Sequence, residues 1–192
     1  MPADKAASKK IILHLGKKNL KFEVVKHKKV YTAYDLAQTL GTELDKIAKT
    51  LLVKAELPVL KKKESRYYAV VVPASYYLEF NKLKKLLKAT KVQMAPEKFM
   101  QKLGIEPGAI SPFGSLRGLG VVVDKALLKT KDAIVGAESF TESLRMKMKD
   151  LVAAESPIIG SIVKKNKMKL QPKAAPKRKP KKGKAKPRKK KK

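Results

Sequence analysis

The sequence predicts a mixed α/β (α+β) domain of about 160 residues followed by a strongly basic tail. Three observations predict it. Short apolar runs of strand length alternate with short segments of helical periodicity. Apolar residues make up 43% of the 192-residue chain, enough for a packed core. From Lys164 onward, lysine, proline, alanine and glycine replace the aliphatics, and such a segment cannot bury enough surface to offset its ordering entropy. The expected organisation is an N-terminal extension with a short helix over residues 1–19, one folded domain over 20–163 and a disordered Lys-rich tail over 164–192.

In chain order, Ile11, Ile12 and Leu15 lie on one face of a short helix between Ser8 and Lys18. "KFEVVKH" (21–27) reads as a strand. In "YTAYDLAQTLG", Leu36, Ala37 and Leu40 fall at helical spacing and Gly41 is the stop. "TELDKIAK" resembles a capping box at Thr42 and Asp45, predicting a second short helix with Lys46 and Lys49 in its last turn. "TLLVKAEL" (50–57) is a strand, "PVLKKKES" a polar loop, and "YYAVVVP" (67–73) a buried strand. "NKLKKLLKA" is an amphipathic helix, "VQMA" a short strand, and "PEKFMQKLG" a helix between Pro96 and the Gly104 stop. "GVVVDKALL" is a strand turning into a helix, and "DAIVGA" and "SLRMKMK" are strands. "DLVAAESPIIGSIVKK" is expected to be helical on both sides of Pro157, giving six or seven strands in all.

Composition excludes several chemistries. The chain has no cysteine, so a disulfide framework, a thiolate metal site and a protein thiol nucleophile are excluded. Two histidines, His14 and His27, cannot build a histidine-rich metal centre, and neither a metal nor a cofactor is expected. No apolar run approaches the roughly 20 residues of a membrane span, so a soluble, cytoplasmic protein with no membrane partner is the expectation. The net charge is +31, and residues 164–192 hold 17 of the 47 basic residues and no acid. That leaves 30 basic and 16 acidic residues, a net +14, in the first 163. Both parts call for a polyanionic partner, nucleic acid before an anionic membrane surface.

One stretch concentrates backbone constraint. "GIEPGAISPFG" (104–114) carries three glycines and two prolines in eleven residues with a single carboxylate. Taken alone it reads as a structured connector. Lys49 taken alone is a helix-dipole partner. His27 reads as a residue that caps or packs at a strand end, His14 as a helix-rim residue, and Met146 and Met148 as core. A Ser–His hydrolase built on Ser111 and His27 has no nucleophile-elbow pattern behind it.

The order of these segments resembles the YbaK/prolyl-tRNA-synthetase-associated aminoacyl-tRNA deacylase family. A strand ending at His27, a "TA" helix, the Lys49-Thr50-Leu51 strand entry, the Gly108-to-Pro112 loop, "VVVDKALL", "AIVGA" and "SLRMKMKDL" follow in the family's order over about residues 20–155. The resemblance implies a mixed sheet curled into a partial barrel with short helices around it. It implies trans-editing hydrolysis of a mischarged aminoacyl-tRNA ester, with alanine or cysteine on prolyl-tRNA as the expected substrate class. Under it, Lys49 and Gly108 are the catalytic candidates. His27, Ala33, Thr50, Ala109, Ile110, Ser111, Pro112, Gly136 and Glu142 are the substrate-binding candidates. Where family members carry an aromatic near the start of the "TA" helix this chain has Ala33, flanked by Tyr31 and Tyr34, and the family's paired glycines become Gly136-Ala137-Glu138-Ser139. The proton chemistry would fall largely to the substrate's own ribose hydroxyl or amino group, because positioning and fixed main-chain dipoles need few titrating side chains.

The tail lies outside the resemblance. Lys173, Lys177, Arg178, Lys179, Lys181, Lys182, Lys184, Lys186, Arg188, Lys189 and Lys190 are its RNA-binding candidates. No aromatic is interleaved for stacking, so the tail should raise affinity for any tRNA without choosing one. It also resembles a nuclear-localisation patch. Association with aminoacyl-tRNA synthetases or a multi-synthetase complex is a further expectation. The rival reading is a non-catalytic tRNA-binding or scaffold protein, of a synthetase complex or the ribosome, that keeps the fold.

Overall fold

The computed structural model describes residues 7–59 and 62–167. The RNA-binding candidates from Lys173 to Lys190 lie outside the described residues. Helix α1 (Lys9–Lys17) buries Ile11 and Leu15, four residues apart on one face. It packs into the same core cluster as Phe113, Val135, Leu144 and Leu151, so the helix expected in the N-terminal extension lies in the core of the domain. Strand β1 (Phe22–Lys26) follows. Helix α2 (Ala33–Leu40) starts at an N-cap, where Thr32 Oγ1 accepts from the Asp35 amide at 3.1 Å. It ends at Gly41, whose φ of 59° forms the left-handed cap.

The expected second helix is instead a single 3-10 turn, Leu44–Lys46. The chain is already extended at Ile47 and continues as β2 (Ile47–Val59), so Lys49 belongs to a strand. The physical reason is pairing. β2 hydrogen-bonds along most of its length with β3 (Lys62–Pro73), from Ala48↔Pro73 to Val59↔Lys62. A hairpin therefore replaces the expected polar loop, and local helical preference yields to the sheet. β4 (Tyr76–Leu78), α3 (Phe80–Leu86), β5 (Lys91–Met94), α4 (Glu97–Lys102), β6 (Gly120–Asp124), α5 (Lys125–Leu128), β7 (Asp132–Gly136), β8 (Glu142–Lys147) and α6 (Met148–Glu155) follow.

The expected helix after Pro157 is absent. Ser156 takes φ 45° and closes α6, and the chain forms β9 (Ile158–Gly160) and β10 (Val163–Lys167). Buried Asp124 explains the new course. Its carboxylate accepts from the Ala126 amide at 2.7 Å and from the amides of Ile162 at 2.6 Å and Val163 at 3.1 Å. One side chain thus caps α5 and captures the returning chain.

Among the described residues there are ten strands. The main sheet runs β1-β8-β7-β2-β3-β6-β9, with β5 on β2 off this path, and β10 pairs β4 separately. It is mixed, with parallel pairs β2–β7, β3–β6 and β6–β9 and the others antiparallel. The sheet is not closed, and a partial barrel is compatible with this open path. Two aliphatic clusters lie on either side of it, one under α1, α5 and α6 and one under α3.

Candidate active site

The central strand has different neighbours along one edge. At its start, Ile47 and Ala48 pair in parallel with Ile134 and Val135 of β7. Further on, Val53 to Glu56 pair antiparallel with β5. The sheet divides between the two, at Lys49 to Leu51. Carbonyl direction alternates along a strand. The Ile47 carbonyl accepts from Ala74 on the β3 side and the Leu52 carbonyl from Ala95 on the β5 side. The Thr50 main-chain N–H and C=O therefore point into the gap. A cavity of about 410 Å³ occupies it, lined by Lys49, Thr50 and Leu51.

The opposite wall is the Gly-Pro-rich loop, which contributes Pro107, Gly108, Ala109 and Ile110. Gly108 has φ 92°, open to glycine and strained for other residues. A Cβ there would also lie 3.0 Å from the Tyr31 carbonyl oxygen. On the floor, a Cβ on Gly136 would come within 2.5 Å of the Ile110 carbonyl oxygen. Both glycines let main chain approach main chain. A charged clamp fixes the loop from behind. Arg117 donates Nε to Glu138 Oε1 at 2.9 Å and Nη2 to Glu138 Oε2 at 2.7 Å, and its Nη1 donates to the Leu103 carbonyl. Glu138 holds this position at φ 58°, and the bidentate ion pair offsets a backbone strain of about 1–3 kcal/mol.

Lys49 and His27 bring polar side chains to the cavity, and Thr50 brings main chain. The Lys49 ammonium donates to the Tyr76 carbonyl oxygen at 3.0 Å, and burial lowers its pKa from the ordinary lysine value. The Thr50 hydroxyl is buried without a hydrogen-bond partner and, because side chains alternate along β2, lies on the sheet face opposite Lys49, so Thr50 meets the cavity through its main chain. His27 lies between Ser143 Oγ, 2.9 Å from Nε2, and the Lys28 carbonyl oxygen, 2.9 Å from Nδ1. Among the described residues, no carboxylate lines the cavity.

Of the residues singled out in the sequence, Lys49, Gly108, His27, Ala33, Thr50, Ala109, Ile110 and Gly136 line this one cavity. Ser111, Pro112 and Glu142 lie outside the lining. Ser111 is buried with its hydroxyl 3.5 Å from Glu138 Oε1, on the clamp side of the loop. The Glu142 carboxylate accepts from the Ala7 amide at 2.7 Å, just ahead of α1. His14 is also structural, its Nε2 3.3 Å from Glu155 Oε1. Glu155 in turn accepts from the Ser115 amide at 2.9 Å and hydroxyl at 2.8 Å. Sequence reasoning missed Met94, Met100, Pro107 and Ser143 in the lining. Pro107 stood inside the quoted loop and could have been found; the other three come together only through sheet pairing and the packing of α4.

Comparison with known proteins places the fold in a family. The family model of the aminoacyl-tRNA editing domain matches residues 27–154. A proline–tRNA ligase from Thermosipho melanesiensis is 33% identical over 115 residues, which is 59% of this chain and 19% of the ligase. The prolyl-tRNA editing protein ProX of Acetoanaerobium sticklandii is 28% identical over 130 residues, 65% of this chain and 76% of ProX. The chain therefore spans about a fifth of the length of the Thermosipho ligase. Two solved structures share the fold. The hypothetical protein APE2540 has a TM-score of 0.71 at 23% identity, covering 81% of this chain and 100% of its own. A candidate trans-editing enzyme for prolyl tRNA synthetase has a TM-score of 0.68 at 21% identity, covering 83% and 99%. With the family match running from the His27 wall into α6 and enclosing the whole divided-sheet cavity, the chain belongs to the aminoacyl-tRNA editing domain family.

Proposed function

We propose that the protein hydrolyses the ester of mischarged aminoacyl-tRNA in trans, with alanine or cysteine on prolyl-tRNA as the substrate class. The observation that carries this reading is the cavity itself, in which Lys49, the Thr50 main chain and the Gly108 loop converge. The ester carbonyl lies toward Lys49, whose partly buried ammonium stabilises the developing oxyanion more strongly than an exposed one would. The Thr50 main chain and the Gly108–Ile110 loop hold the aminoacyl group. Ala33, Ala109 and Gly136 keep the walls close, so size exclusion selects small side chains.

The basic segment from 164 to 192 raises affinity for any tRNA through phosphate contacts. Association with an aminoacyl-tRNA synthetase is part of the same reading. It is supported by the match to a stretch inside proline–tRNA ligase chains. The test is hydrolysis of a panel of mischarged tRNAs by the full chain. The expected result is cleavage of alanyl- or cysteinyl-tRNA(Pro) with cognate prolyl-tRNA spared. Binding without cleavage on every member would establish the scaffold reading instead. Deleting residues 168–192 should raise KM and flatten its salt dependence while leaving kcat unchanged.

A further inference from the structure

The cavity wall holds one hydrogen-bonded pair that the reading above leaves unused. A carbonyl oxygen only accepts, so the neutral His27 ring facing the Lys28 carbonyl carries its proton on Nδ1. Nε2 then accepts from the Ser143 hydroxyl at 2.9 Å. Both residues line the cavity. Both are held firmly. Ser143 is 3% exposed within β8, and the His27 amide donates to the Thr141 carbonyl at 2.9 Å. A hydroxyl bonded to a base that a third group orients is the arrangement that activates oxygen nucleophiles.

The surroundings leave proton uptake to this pair. Lys49 enters the cavity as a donor, and no carboxylate lines it among the described residues. Lys26, Lys28, Lys29 and Asp35 line the adjoining groove that shares His27. Glu142, next to Ser143, has its carboxylate engaged with the Ala7 amide.

We propose that Ser143 and His27 form a proton relay that activates water in this cavity, an inference that rests on the hydrolytic reading above. The water oxygen bonds to the ester carbonyl carbon. One water proton passes to Ser143 Oγ as the Ser143 proton passes to His27 Nε2. When the tetrahedral intermediate collapses, the bond from carbon to the ribose oxygen breaks. The proton returns from Nε2 through Ser143 to that leaving oxygen, releasing tRNA and free amino acid.

The test uses the full chain on alanyl-tRNA(Pro), with kcat and KM measured in light and heavy water. Ser143→Ala and His27→Gln should each lower kcat by about 100-fold or more with little change in KM. The double variant should be no slower than the poorer single variant, as for groups that act as one unit. Wild-type kcat should carry a solvent deuterium isotope effect from the two protons in flight, and His27→Gln should lose it, which a purely structural role would not remove. Should Ser143→Ala fail to fold, the His27→Gln kcat and isotope effect decide alone. Active wild type with unchanged variants, or an acyl-serine trapped by rapid quench, overturns the relay while the hydrolytic reading stands. A wild type that cleaves no member of the tRNA panel overturns that reading and the relay with it.

Discussion

Replacing Gly136 by alanine adds one methyl group at the cavity floor. The new Cβ would lie 2.5 Å from the Ile110 carbonyl oxygen, against about 3.3 Å for a close C···O contact. Neither side yields easily. Ala133, Ile134 and Val135 are buried in β7, and the Arg117–Glu138 clamp holds the loop from behind. The loop must therefore retreat by about 0.8 Å, carrying Ala109 and Gly108 away from Lys49. A misplacement near 1 Å costs about 100-fold in rate, or about 2.7 kcal/mol of barrier. Overpacking also costs about 1–3 kcal/mol of stability. The assay is kcat on alanyl-tRNA(Pro) for wild type and Gly136→Ala, with urea unfolding alongside. A folded variant with kcat within twofold of wild type would refute the argument that main-chain placement sets the rate.

Three further outcomes are expected. Lys49→Met should lower kcat/KM by about 100- to 1,000-fold, the usual cost of losing an oxyanion partner; steady-state kinetics checks it. Burial lowers the Lys49 pKa, so between that lowered value and the unfolded value the unfolded chain binds more protons and stability rises with pH. The Lys49→Met variant should lose that part of the rise in urea titrations run at several alkaline pH values. Asp124→Ala removes a carboxylate bonded to three amides and should cost about 3–5 kcal/mol, read as a lower urea midpoint at unchanged slope.

Much of the site was legible because its parts are local. The Lys49-Thr50-Leu51 entry and the Gly108 loop are contiguous in sequence, and both line the cavity. What the sequence did not disclose came from long-range pairing. "TELDKIAK" has helical capping residues, yet Ile47 and Ala48 pair with β7 and β3, and the sheet overrides them. "PIIGSIV" follows a helix and reads as its continuation, but Asp124 takes the Ile162 and Val163 amides from 38 and 39 residues away. His27 and Ser143 are 116 residues apart and meet only because β1 pairs with β8. No spacing along the chain reports such a meeting.

A strand that exchanges one neighbour for another leaves a few peptide units facing a breach, and those units carry no side-chain identity. Anchoring by them survives almost any substitution in the surrounding shell. Met94, Met100 and Ala33 can therefore change in bulk without dismantling the anchor. A lineage built this way can shift which acyl group it admits by altering the shell while its hydrogen-bonding frame stays constant, so preference and chemistry evolve on separate residues.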